Sequence, residues 1–322
     1  LGSGEAGKYL AWTLAAEGKR VAVVERRYVG GSCPNVACLP SKNIIHSAKV
    51  ASLVAQARDF GLECAHHHSE MRGVWLRKQE MVDGLRDLHV RRFQSTGVEL
   101  IIGEARFTGE RALSVTLPDG GTRMLAGDRM ILSLGTRAAI PDVPGMEEAA
   151  PMTHVEALDL KRLPDHLIVL GGGYIGLEMA QAIRRFGSRV TLIQRGSQLA
   201  SQEDSDIGSA LLELFQDEGI DVLLSTKVLE VRGRSGERVE LTVVGPDSTR
   251  VIEGSDLLVA AGRKPNTESI GLEAAGVKLD ERGYILVNDR LESSAAKVWA
   301  VGDCAGSPQF THAAYDDYRT IR

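Results

Sequence analysis

The strongest constraint on this chain is a unit that occurs twice. Residues 2 to 7 read Gly2-Ser3-Gly4-Glu5-Ala6-Gly7, and residues 171 to 176 read Gly171-Gly172-Gly173-Tyr174-Ile175-Gly176. Both fit G-x-G-x-x-G. A stretch of helical period follows each, Lys8 to Glu17 and Leu177 to Phe186. Then come a glycine (Gly18, Gly187) and a β-branched run, Val21 to Val24 and Val190 to Ile193. The run ends at Glu25 in the first copy and at Gln194 in the second, each 18 residues beyond the last glycine. A strand, Leu167 to Leu170, leads into the second copy. In this setting the first glycine permits a tight turn, the second lets backbone approach a pyrophosphate, and the third lets helix pack on strand. The helix start then offers free N–H groups and the positive end of its dipole to phosphates. Two glycine-rich turns in ordinary α/β units are the alternative, which the matched context disfavours. The expected fold is therefore α/β, with two Rossmann-like nucleotide-binding domains.

The residue ending each run bears on the nucleotide. Glu25 can accept both hydroxyls of an adenosine ribose and would repel a 2′-phosphate, which suits FAD or NAD. In the second copy a neutral amide, Gln194, stands beside Arg195. That removes the repulsion and adds attraction, which favours NADPH over NADH; a solvated surface charge is the alternative for Arg195.

Between the two copies lies Gly30-Gly31-Ser32-Cys33-Pro34-Asn35-Val36-Ala37-Cys38-Leu39-Pro40-Ser41-Lys42. On a regular helix, Cα atoms five residues apart lie about 8.6 Å apart. A disulfide needs less than about 7 Å. A bridge thus requires an irregular turn, with Cys33 outside the regular helix, Pro34 at its first position and Cys38 about one turn in. Thiols near a helix start have lowered pKa values, and Lys42 adds a cation one turn beyond Cys38. Two buried, inert cysteines or half of a zinc site are the alternatives. Zinc spacing calls for a second close pair, which Cys64 and Cys304 do not form, so no metal site is expected.

The segment from Gly31-Ser32-Cys33 to Cys38-x-Pro40-Ser41-Lys42 resembles the redox segment of the class I pyridine nucleotide-disulfide oxidoreductases, the dihydrolipoamide dehydrogenase and mercuric reductase branches above all. It departs at Ala37, where the family usually has glycine, and at Pro34. The resemblance runs the length of the chain. Leu134-Gly135-Thr136 with Pro141 and Gly145 is similar to the exit from the FAD domain, and Ala261-Gly262-Arg263-Lys264-Pro265-Asn266 to the return into it. Val298 to Asp303 resembles the second FAD motif, in which the aspartate holds the ribityl hydroxyls. By the same resemblance Thr311 and His312 open a helix whose start faces the flavin pyrimidine oxygen, and Gly103 to Ala105 resembles the stretch whose backbone meets the adenine.

The resemblance implies that the second domain is inserted in the first. An FAD domain spans residues 1–145 and continues over 265–322, with an NAD(P) domain over 146–264. Hydride passes from NAD(P)H to flavin, and the reduced flavin opens the Cys33–Cys38 disulfide. Cys38 is the inner thiolate and Cys33 the outer nucleophile toward a small-molecule disulfide or metal-ion substrate. Tyr174 covers the flavin, and Lys42 pairs with Glu178 beside it, on the first turn of the second nucleotide helix. Relatives carry a C-terminal interface domain that forms a homodimer and supplies an acid–base histidine; no histidine here matches it, and both ends of the chain read as cut. A mercuric-type metal-ion reductase, a flavin redox sensor or complex subunit, and an oxidase or peroxidase with one active cysteine are the competing activities.

Composition narrows the partners. At 322 residues, net charge −5 and pI near 6.0, there is no basic surplus to neutralise nucleic-acid phosphates. No apolar run approaches the ~20 residues of a membrane span. Four cysteines in this length suit a cytoplasmic protein rather than a disulfide scaffold. His66-His67-His68 reads as exposed loop. Glu70 to Thr96, with Met71, Val74, Leu85 and Leu88 at helical spacing, reads as an amphipathic helix on the FAD domain. Asp119-Gly120-Gly121 and Gly233 to Glu237 read as hairpin turns, and Trp12 as core.

Overall fold

The structure, a computed structural model, describes residues 1–63 and 68–322. Cys64, His66 and His67 lie outside the described residues. The chain divides into two compact units. One comprises Leu1–Cys38, Met81–Arg137 and Arg263–Arg322; the other comprises Leu39–Glu80 and Ala138–Gly262.

In the second unit, four parallel strands stand in the order Asp221–Leu223, Arg189–Ile193, His166–Leu170, Asp256–Val259. Leu167, Ile168 and Val169 are all buried, as expected of a parallel strand covered on both faces. Helix Tyr174–Phe186 buries Leu177, Ala180 and Ile183, a stripe at helical spacing. An antiparallel meander of Lys227–Arg234, Arg238–Val244 and Thr249–Gly254 turns at residues 235–237. It sends Val239, Leu241 and Val243, alternate residues of one strand, into a core with Ile168, Ile193 and Leu257.

The first unit repeats this plan. Ala22–Glu25 pairs parallel with Glu99–Ile102, and Met130–Leu132 with Val298–Ala300. Leu1 and Gly2 lie between the two pairs: the Gly2 amide donates to Val24 O at 2.8 Å, and the Ser133 amide donates to Leu1 O at 2.7 Å. An antiparallel meander, Glu104–Gly109, Ala112–Thr116 and Thr122–Ala126, has Asp119-Gly120-Gly121 in its second turn. Both expected hairpins thus form. Trp12 packs on the cluster of Ala11, Val23, Phe93 and Val98.

The amphipathic helix spans Met71–Ser95, with two corrections. Leu88 is exposed. Nor does the helix serve only the first unit: Met71 and Val74 join the core of Ile44 and Leu177 in the second unit, whereas Phe93 joins that of Val23 in the first. Twenty-five residues make a helix about 37 Å long, too long for one small face. Among the described residues, no helix is long and apolar enough to cross a membrane.

Candidate functional site

The two glycine turns match hydrogen bond for hydrogen bond. The Gly2 amide donates to Val24 O at 2.8 Å and the Gly171 amide to Ile193 O at 2.9 Å. One residue on, the Ser3 amide donates to Glu25 Oε2 at 2.9 Å and the Gly172 amide to Gln194 Oε1 at 3.1 Å. Gly2 and Gly171 have φ of +89° and +114°, and a Cβ on either would lie 2.2 or 2.4 Å from a facing carbonyl oxygen, Ser133 or Ala260. Helices Glu5–Ala16 and Tyr174–Phe186 follow, and neither Gly4 nor Gly173 supplies a side-chain cap. Their first N–H groups therefore remain available to a phosphate.

In the first unit, Glu25 is nearly buried. Its second oxygen accepts from the Arg27 and Tyr28 amides at 2.9 and 3.0 Å, which starts the loop toward the cysteines. Asn35 Nδ2 donates to Val29 O and Gly31 O at 3.0 and 2.8 Å. Helix Ser32–Val36 ends at Ala37 (φ −138°, ψ −108°), and a new helix, Cys38–Ala55, begins. The expected irregularity exists, but at Ala37 rather than ahead of Pro34. Ser32 opens the short helix, so Cys33 is its second residue and Pro34 its third, while Cys38 is the first residue of the next helix rather than one turn in. The break turns the chain so that the two thiols hydrogen-bond. That bond, then burial, pushes the Cys33 thiol well above its ordinary value. This corrects the expectation of a lowered value: a five-residue helix start is outweighed by the neighbouring sulfur and by burial.

Also in this unit, Thr136 Oγ1 donates to Asp303 Oδ2 at 2.6 Å. Arg263 donates from Nε to Thr136 Oγ1 at 2.8 Å and from Nη2 to Thr136 O at 3.0 Å. Burial pushes the Arg263 guanidinium below its ordinary value, against the opposing pull of Asp303, Tyr284 and Cys38. The Gly302 amide donates to Asp317 Oδ2 at 2.6 Å. Thr311 and His312 open helix Thr311–Ile321, which has no side-chain cap. Gly135 has φ +64°, Gly31 leads into the cysteine helix with φ +84°, and Ala105 opposes Val115 in the meander.

In the second unit, Lys42 Nζ meets Glu178 Oε1 at 2.5 Å. The helix begins at Tyr174, so Glu178 is its fifth residue rather than a first-turn residue. The Tyr174 hydroxyl donates to Glu203, which raises its pKa, and the ring is half exposed. Gln194 spends both ends of its amide on backbone, accepting from Gly172 N and donating to Gln198 O at 3.2 Å. Arg195 is exposed, Ile175 is half-buried, and Gly176 packs its bare Cα against the Gly171 carbonyl. Gly262 has φ +134° and open space where a Cβ would stand.

Residues 1–317 match the family described as pyridine nucleotide-disulphide oxidoreductase. The chain belongs to that family. It is 35% identical over 316 residues to a mercuric reductase of Streptomyces lividans and 35% over 317 to one of Acidithiobacillus ferrooxidans, matching 98% of this chain in each case. It covers 66% and 57% of those two proteins. A structure titled the Cu(II) complex of the HOCl-induced flavoprotein disulfide reductase RclA from Escherichia coli superposes with a TM-score of 0.88 at 33% identity. That match covers all of this chain and 68% of the other.

FAD and NAD(P)H are the cofactors of this family, and the two uncapped helix starts with their glycine turns fit two dinucleotides. Among the described residues, no group of three metal-ligating side chains gathers. Cys304 is fully buried, and burial pushes its thiol up to about 11. Sequence reasoning missed Lys8, which is buried. Its signal was a charged residue directly after the third glycine, on the face of the helix that buries Ala6, Leu10 and Ala11.

Proposed function

We propose that the complete protein is an NAD(P)H-dependent flavoprotein reductase that passes electrons to the Cys33–Cys38 pair and on to a small-molecule disulfide. Residues 1–145 and 265–322 would carry FAD and residues 146–264 NAD(P)H. The observation that carries the reading is the hydrogen-bonded pair of thiols at the end of a loop tied to Glu25. Bound FAD and NAD(P)H supply the two-electron reduction that reopens the disulfide. The chain's own residues do the rest. Cys33, once deprotonated, attacks one sulfur of the substrate; that S–S bond breaks and one thiol leaves with a proton. Cys38 then attacks Cys33 Sγ, the second thiol leaves, and the Cys33–Cys38 bond forms. Because Cys38 and burial hold the Cys33 thiol above its ordinary value, the outer sulfur needs an external base, a part that a C-terminal histidine would play in a homodimer. Glu25, Gly31, Ser32, Thr136, Arg263, Asp303, Thr311 and His312 would hold the flavin nucleotide. Gly173, Tyr174, Gln194 and Arg195 would hold NADPH in preference to NADH, and Lys42 with Glu178 would order the reacting face.

A metal ion is the second acceptor to test, because two relatives are mercuric reductases and a third is titled as a Cu(II) complex. Anaerobic stopped-flow mixing with NADPH should produce the long-wavelength absorbance of a thiolate beside oxidised flavin. Reoxidation by lipoamide, glutathione disulfide, Hg(II) or Cu(II) then names the acceptor. No such absorbance and no new thiols after NADPH would overturn the reading.

A further inference from the structure

Lys8 occupies a position where an apolar side chain would pack without desolvation, and it is 4% exposed. A buried ammonium is costly unless every proton finds a partner. Lys8 Nζ has partners from three segments: Glu5 Oε2 at 2.9 Å, His89 Nε2 at 3.2 Å and Gly30 O at 3.4 Å. His89 accepts there, because its Nδ1 lies 2.7 Å from Leu85 O and must carry the ring proton. Burial lowers the His89 pKa below its ordinary value, which favours this neutral ring.

Gly30 stands three residues ahead of Cys33. Lys8 takes its carbonyl, and Ser3 Oγ takes its amide at 2.9 Å. Its backbone has φ +93°, and a Cβ would press on the His89 ring at 3.0 Å. The start of the cysteine loop is thus clamped on both polar groups by two residues of the first glycine-turn unit. Glu5 and Lys8 also act on Cys33 in opposite senses, the carboxylate disfavouring the thiolate and the ammonium favouring it. The Tyr9 ring lies 5.6 Å from Nζ, and the Arg92 guanidinium lies over the Trp12 ring.

We infer that Lys8 is a positioning residue of the redox pair: its ammonium holds the Gly30 carbonyl, three residues ahead of Cys33, and pairs with the Glu5 carboxylate, so that neither charge stands alone beside the cysteine loop. This rests on the proposed redox role of Cys33 and Cys38.

The test uses the full-length, FAD-loaded protein in its dithiol form. Iodoacetamide alkylation of Cys33 is followed by mass spectrometry across pH, with hydrogen exchange over residues 28–32. In Lys8→Met the alkylation midpoint should rise by about one pH unit, so that the rate at neutral pH falls about tenfold. In Glu5→Gln/Lys8→Met the midpoint should return toward wild type, because both charges are gone. Exchange over 28–32 should quicken in both variants, because both lack the clamp. An unchanged midpoint in Lys8→Met overturns the electrostatic half, and unchanged exchange in the double variant overturns the clamp. If Lys8→Met fails to load FAD, the double variant still decides the clamp. Failure of the redox reading would show separately, as wild-type cysteines that NADPH never reduces.

Discussion

Replacing Gly176 by alanine should disable the second nucleotide site and spare the first. A Cβ there would lie 1.9 Å from Gly171 O, whereas carbon and carbonyl oxygen rest no closer than about 3.3 Å. The turn would have to open by about 1.4 Å. It has nowhere to go: Gly171 N is bound to Ile193 O at 2.9 Å, and the space where a Gly171 Cβ would stand already holds Ala260 O at 2.4 Å. Overpacking against fixed backbone costs about 1–3 kcal/mol. Because the strained atoms form the phosphate turn itself, the loss should appear as NADPH affinity weakened about 5- to 150-fold. The assay is an anaerobic NADPH titration of flavin reduction, with FAD content measured alongside. Bound FAD should match wild type, since the Gly2 to Gly7 turn belongs to the other unit, and photochemical reduction should still yield thiols at Cys33 and Cys38. Wild-type affinity for NADPH, or parallel loss of FAD, would refute the reasoning.

Three further outcomes are expected. Arg195→Ala should weaken NADPH about 10- to 150-fold while leaving NADH nearly unchanged, since a charge-assisted contact to a 2′-phosphate is worth about 1.5–3 kcal/mol; equal losses for both nucleotides in steady-state kinetics would count against it. Arg162→Ala should destabilise the second unit by about 1–3 kcal/mol in urea unfolding. Asp256 is buried and accepts from Arg162 at 3.1 and 2.6 Å, and the figure allows for the half-exposed guanidinium. His166 is depressed below its ordinary 6.5, first by burial and then by Arg189. Protonation therefore favours the unfolded chain, and the stability His166 contributes is complete above about pH 6.5 and lost as pH falls through the lower folded value. His166→Gln should flatten the fall in urea midpoint between about pH 7 and 5; an unchanged slope would rule this out.

Much of the site was legible because its determinants are local. The glycine turns showed at both Gly2 and Gly171, and the residue 22 positions beyond the middle amide donor, Glu25 or Gln194, accepts from that amide in each copy. The hairpins at Asp119-Gly120-Gly121 and Gly233 to Glu237 were equally plain. The cysteine segment was legible in content but not in shape. Spacing alone demanded a break somewhere between Cys33 and Cys38, and proline statistics placed it wrongly. Leu88 fitted the apolar period of its helix yet faces solvent, because periodicity names a face and not what covers it.

By itself the sequence determined the two nucleotide turns, since positive φ and room for a carbonyl where a Cβ would stand are demands on single residues. Only the tertiary structure decided which distant side chains meet. Thr136 reaches Asp303 across 167 positions and Lys42 reaches Glu178 across 136, and Lys8 gathers Glu5, His89 and Gly30 from three segments. No local rule contains such pairings, because they depend on packing that brings elements together. The turn obeys sterics within a few bonds, whereas the charge around Cys33 is set by neighbours that become neighbours only after folding.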